Sequence, residues 1–113
     1  MHEVSIAINI IQIIEDELSL HPGKVVEKMH LQIGTLSGVV AESLLFALEA
    51  SRQNSPLKNA EISIDHQKAM AHCKECGNKF ETEDYFGVCP RCSNDRYDII
   101  TGRELIIKSI TLV

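Results

Sequence analysis

Two C-x-x-C pairs, Cys73-Lys74-Glu75-Cys76 and Cys89-Pro90-Arg91-Cys92, constrain this chain more than any other feature. Twelve residues separate them, and the chain has no other cysteine. A two-residue spacer lets the backbone bend so that both thiolates face one point. Two such bends offer four thiolates to one ion, the closed tetrahedral set that Zn(II) takes in a zinc ribbon. Gly77 follows the first pair, where the turn calls for positive φ, and Pro90 stiffens the second. A redox dithiol needs only one pair; an iron–sulfur cluster is a further reading of four cysteines. A zinc held by four thiolates has no open position, so it is expected to be structural rather than catalytic, folding a segment too poor in apolar residues to order itself. Phe80, Tyr85, Phe86 and Tyr97, four of the five aromatics, share this window and are expected to form its small core. His72 adjoins Cys73 and could substitute as a ligand, but four thiolates already fill the shell.

On either side of the cysteine window the sequence is periodic. In 2–20, Ser5, Asn9, Gln12 and Asp16 recur at helical steps, and Val4, Ala7, Ile11, Ile14 and Leu18 form an opposite stripe, widened by Ile10 and Ile13. So many β-branched residues make a poor helix former, so packing has to hold this helix. His21-Pro22-Gly23 ends it. Val25 to Ile33 alternates as a strand, with Val25, Met29, Leu31 and Ile33 facing a core. Ser37 is a candidate cap for a second helix over 39–52, buried through Val40, Leu44, Leu45, Ala47 and Leu48. Ala60 to Lys68 alternates again, and 104–113 forms a last strand whose apolar spacing skips at Lys108-Ser109, as a bulge would make it. The order αβαβ, insert, β predicts an α+β fold: a three-stranded mixed sheet with two helices on one face, plus an inserted zinc-ribbon module built on the four cysteines. The expected division is 1–70 with 103–113 as one αβ domain and 71–102 as the zinc-binding domain.

Charge and hydropathy narrow the function. Eleven Lys and Arg against sixteen Asp and Glu give −5, a poor match for nucleic acid. The most apolar stretch, Val4 to Ile14, is interrupted by Ser5, Asn9 and Gln12 and runs into Glu15-Asp16-Glu17. It is too short and polar to cross a bilayer, and no basic residue precedes it as in a secretory signal. The chain is expected to be cytoplasmic, where thiols stay reduced. No nucleophile–base pair and no phosphate loop is visible, so no enzymatic turnover is expected.

The opening Met1-His2-Glu3 offers a second metal chemistry. An α-amine, the next backbone amide and the His2 imidazole can close adjacent chelate rings around one ion, and an all-nitrogen set suits Ni(II) or Cu(II) better than zinc. Such a site strengthens as pH rises, because amine and amide must lose protons. An exposed histidine without a metal is the plainer reading of these three residues alone.

Met1-His2-Glu3-Val4-Ser5-Ile6-Ala7, Ile33-Gly34-Thr35-Leu36-Ser37-Gly38-Val39, the two C-x-x-C pairs and Glu104-Leu105-x-Ile107 recur in this order in one family: along its whole length the chain resembles the HypA/HybF family of hydrogenase nickel-incorporation proteins. Val4 stands where the family usually has Leu. The resemblance implies a nickel metallochaperone for [NiFe]-hydrogenase maturation, with Ni(II) as cargo on His2, the Met1 amine and Glu3. It also implies structural Zn(II) on Cys73, Cys76, Cys89 and Cys92. The implied partners are a nickel-handling GTPase and the hydrogenase large-subunit precursor, with neither nucleic acid nor membrane, and a monomer or weak homodimer. A zinc-ribbon protein-interaction adapter without a nickel role explains the cysteines but not Met1-His2-Glu3. A thiol redox sensor would label readily in the native state, whereas zinc thiolates are protected until a chelator is added.

Overall fold

The computed structural model describes residues 2–113. Helix α1 spans His2–Ser19, strand β1 Val26–Gly34 and helix α2 Ala41–Ser51, which tightens into a 3-10 turn at Arg52–Asn54. Strands β2 (Glu61–Gln67), β3 (Met70–Cys73), β4 (Lys79–Glu81), β5 (Tyr97–Thr101) and β6 (Leu105–Leu112) follow. They form two three-stranded sheets, ordered β2-β1-β6 and β4-β3-β5.

The first sheet is mixed, as the element order predicts. Contacts from β1 to β2 run Lys28–Glu61 and His30–Ser63, both numbers rising, so the pair is parallel. The Val25 and Val113 amides exchange hydrogen bonds at 3.0 and 2.9 Å, and the Gly34 amide donates to Glu104 O, so β6 returns antiparallel. Burial in β6 follows the predicted skip, with Lys108 and Ser109 both exposed. The second sheet is antiparallel: Ala71 faces Phe80 on β4 and Ile99 on β5. Its strands are too short for alternation to reveal them in the sequence.

Contacts group the chain into two compact units. One holds the chain up to Leu31 with Val39–Ile64 and Ile107–Val113; the other holds Gln32–Gly38 and Asp65–Ile106, a wider span than the 71–102 window. Ile14, Met29, Leu31, Leu44, Leu48 and Leu57 are fully buried in the first unit. Several positions differ from the periodicity. On α1 the buried stripe is Glu3, Ala7, Ile10 and Ile14, while Val4 and Ile13 are exposed. On β1 it is Val26, not Val25, that turns inward, because Glu27 and Lys28 are both exposed and shift the alternation by one step. Helix α2 begins at Ala41 behind an uncapped Val40, itself exposed. Ser37 is no cap; its amide closes a turn onto Gly34 O at 3.1 Å.

In the second unit two glycines allow backbones to meet. The Leu36 amide donates to Gly102 O at 2.7 Å, and a Cβ on Gly34 would run into that same carbonyl. Gly102 sits at φ +106°, and a Cβ there would strike Ala69 Cα. The Glu104 carboxylate fixes this turn by accepting from the Gly102 and Arg103 amides at 2.6 and 2.9 Å. Gly102→Ala combines left-handed strain with a backbone collision. It is expected to destabilise the fold by at least about 1–3 kcal/mol, a fall of several degrees in Tm. Calorimetry checks this, and an unchanged Tm would show that the turn relaxes.

Candidate metal centre

The four cysteines converge. Cys73 ends β3, Cys76 follows one turn later, and Cys89 and Cys92 sit on the segment leading into β5. The two bends are built alike. The Cys73 amide donates to Asn78 O and the Gly77 amide to Cys73 O, at 2.8 and 3.1 Å. In the second bend the Cys89 amide donates to Asn94 O and the Ser93 amide to Cys89 O, both at 2.8 Å. Gly77 takes the expected positive φ of +74°; its counterpart Ser93 adopts +63° without being glycine. All four Sγ atoms lie within 4.8 Å of one another, with Cys73–Cys92 at 3.5 Å and Cys76–Cys89 at 3.7 Å. A tetrahedral zinc with Zn–S near 2.3 Å sets its sulfurs about 3.8 Å apart, so these residues fit the ion. The sulfurs are unbonded to one another, and the thiols are free. His72, half-buried on β3, is not part of the cluster.

The electrostatics favour a cation. The Cys76 backbone N–H draws the Cys73 thiol below its ordinary value, against burial. Burial pushes Cys89 up, but N–H groups of Cys92 and Arg91 and the Asn78 side-chain amide, 3.7 Å from its sulfur, hold it at about 6. At Cys92 the Asn94 amide pulls down, yet burial and the three neighbouring sulfurs push the thiol up to about 12. The last proton therefore leaves only when a positive charge replaces it. Zn(II) added to the metal-free chain at pH 7 is expected to release thiol protons, that of Cys92 included, and zinc affinity is expected to fall as pH falls. Titration calorimetry in buffers of different ionisation enthalpy counts these protons; binding without proton release would contradict the picture.

The first unit carries the other candidate residues. Met1 lies outside the described residues. His2 opens α1, largely exposed, with Nε2 2.9 Å from Glu3 Oε2. Glu3 is the one buried charged residue among those described. It lines a groove of about 490 Å³ with Val4, Glu42, Phe46, Ala47 and Ser51. Its burial was hidden in the sequence, although Glu3, Ala7, Ile10 and Ile14 do follow a helical spacing. Asn78 and Ser93 were likewise missed, since no residue-type rule marks a sulfur's amide donor or a left-handed serine. The other histidines lie apart: His21 contacts Glu17 at 3.3 Å, His30 contacts Ser63 at 2.6 Å, and His66 is exposed on β2. Among the described residues, no helix is long and apolar enough to cross a membrane.

Comparison with known proteins bears on both sites. The family model for hydrogenase/urease nickel incorporation, the metallochaperone HypA, matches residues 1–112. The chain is 36% identical over 112 residues to the hydrogenase maturation factor HypA of Parabacteroides distasonis, covering 99% of this chain and 97% of that one. It is 34% identical over 112 residues to that of Chlorobium phaeobacteroides, covering 99% of each. The solution structure of the Ni metallochaperone HypA from Helicobacter pylori superposes with a TM-score of 0.66 at 25% identity, over 98% of this chain and 97% of that one. A second HypA solution structure gives 0.71 at 26% identity, over 100% and 97%.

Proposed function

Because this chain belongs to the HypA family of hydrogenase and urease nickel-incorporation metallochaperones, we propose that it carries Ni(II) on its amino-terminal end and hands it to the large-subunit precursor of a [NiFe]-hydrogenase. On this reading the residues of 1–70 and 103–113 form the nickel-binding domain. The 71–102 segment is braced by Zn(II) on Cys73, Cys76, Cys89 and Cys92. A nickel-handling GTPase is the upstream partner, and the exchange takes place in the cytoplasm. The chain performs no catalysis of its own: its task is to hold and release an ion.

The observation that carries the reading is the hold on His2. Its Nε2 meets the carboxylate of buried Glu3 at 2.9 Å. Nδ1 is the ring nitrogen nearer the backbone, and it is the one that closes a chelate ring with the residue's own amide. A carboxylate on the far nitrogen fixes the tautomer and orientation of a ligating imidazole. The Met1 amine and the backbone nitrogens of His2 and Glu3 complete a nitrogen-rich set that prefers Ni(II) to the thiolate-loving zinc. The two ions are thereby kept on chemically different ligands.

A nickel titration of zinc-loaded protein, native against amino-terminally acetylated, tests this. Acetylation removes the amine and leaves the cysteines untouched. Loss of the tight nickel site with full zinc content supports the reading; an undiminished site overturns it.

A further inference from the structure

The loop between β4 and the second cysteine bend departs from its expected role as core. Phe80 and Tyr97 do pack edge to face, with centroids 5.2 Å apart. Phe86, however, is 91% exposed, with Tyr85 and Val88 about half exposed beside it. Their segment is pinned nonetheless. The Tyr85 hydroxyl donates to Leu36 O at 2.7 Å, the Tyr97 hydroxyl to Asp84 O at 3.2 Å, and the Thr82 hydroxyl to Asp84 O at 3.0 Å. The Asp84 amide returns a bond to Thr82 Oγ1 at 3.2 Å. At its far end the chain enters Cys89, whose backbone N–H donates a hydrogen bond to Asn94 O. A bulky apolar ring held out into water by an anchored loop loses little conformational freedom when a partner covers it, and such preorganised aromatics make the strongest anchors at interfaces.

Charge says what kind of partner. Residues 80–88 hold no Lys or Arg; Glu81 pairs with Lys68 at 3.7 Å, and Glu83 and Asp84 give the loop its acidic character, in a chain of net −5. A second copy of this chain, a nucleic acid or an anionic lipid surface would each bring like charge to the loop. An apolar pocket bordered by Lys and Arg complements it. We propose that Phe86 anchors a docking surface for the protein that receives the nickel, seating in such a pocket on the large-subunit precursor. This rests on the chaperone reading above. During transfer the cargo ligands let go of the ion, so the contact that selects the receiver has to come from residues that carry no cargo. Phe86 and its acidic neighbours are such residues.

The test uses full-length, zinc-loaded chain and purified large-subunit precursor, with affinity measured at low and high salt. Phe86→Ala is expected to weaken binding at least about tenfold. Glu83→Lys with Asp84→Lys is expected to weaken it at low salt and to flatten its salt dependence. Both variants should take up zinc and nickel as the native chain does. Three results overturn the proposal: precursor affinity within about twofold of native in Phe86→Ala, no binding of precursor by the native chain, or a Phe86 effect seen only on the GTPase or on self-association. The nickel titration separates the two ideas. Normal uptake with Phe86-independent docking removes the docking surface alone, whereas Phe86-dependent docking without a tight amino-terminal nickel site removes the cargo assignment alone.

Discussion

Zinc-loaded protein carrying His2→Ala is expected to lose its tight nickel site, with affinity falling on the order of a hundredfold or more. Disturbing a partner that merely orients a metal ligand already lowers affinity by about 10–100-fold. Removing the imidazole deletes a ligand and opens a chelate ring, so it should exceed that. His21→Ala is the matched control, because His21 follows the same helix and its side chain pairs with Glu17. It should titrate as native. The loss should be largest at alkaline pH, where the native site gains most from deprotonated amine and amide nitrogens. Zinc content should be unchanged, since the four sulfurs gather without any residue of α1. Isothermal titration with Ni(II) checks the affinity, and X-ray absorption distinguishes a nitrogen-rich shell from a sulfur-rich one. Equal nickel affinity in native and His2→Ala protein would place the cargo elsewhere and end the amino-terminal reading.

The cysteine centre was legible because spacing alone dictates it: two short bends bring sulfurs together whatever surrounds them. The sheet was legible too, since a helix between β1 and β2 favours a parallel pair and leaves an antiparallel place for the returning strand. Phase was harder. Helix α1 has isoleucine on nearly every side, so its pattern cannot say which ones point inward. The true stripe includes Glu3, which a hydrophobic pattern omits by construction. A buried carboxylate needs a partner, and only the structure supplies His2 at 2.9 Å. Val25 and Val26 are chemically alike, so a one-step shift at Glu27 and Lys28 left no trace in composition. The aromatics misled for a different reason. Their number suggested a core, but burial depends on what each ring meets, and only Phe80 and Tyr97 meet each other.

Chelation of zinc, or Cys76→Ser, is expected to unfold residues 71–102 while the first unit stays folded. The two units differ in what holds them. The first buries Ile14, Met29, Leu31, Leu44, Leu48 and Leu57 completely, enough branched apolar volume to sustain itself. The buried hydrophobic residues of the second are Ile33, Ala69, Ala71, Cys73 and Cys89, of which two are proposed ligands and two are alanines. No disulfide reinforces it. A structural zinc supplies about 10–16 kcal/mol in small peptides at neutral pH, as much as the whole stability of an ordinary domain. Without it, four sulfurs crowded within 4.8 Å lose their common partner, and strands of three to five residues have nothing to pack on. Amide spectra should therefore show signals from β3, β4 and β5 collapsing to unfolded positions, while those of α1, α2 and the first-unit part of β1 persist. Because 32–38 and 105–106 group with the second unit, the adjoining ends of β1 and β6 should lose exchange protection as well. Restored zinc should reverse the change in the native chain and fail to do so in Cys76→Ser. A collapse that takes the helices with it would mean that the fold has one cooperative core and not two. Native spectra surviving full zinc removal would mean that the cysteines brace nothing.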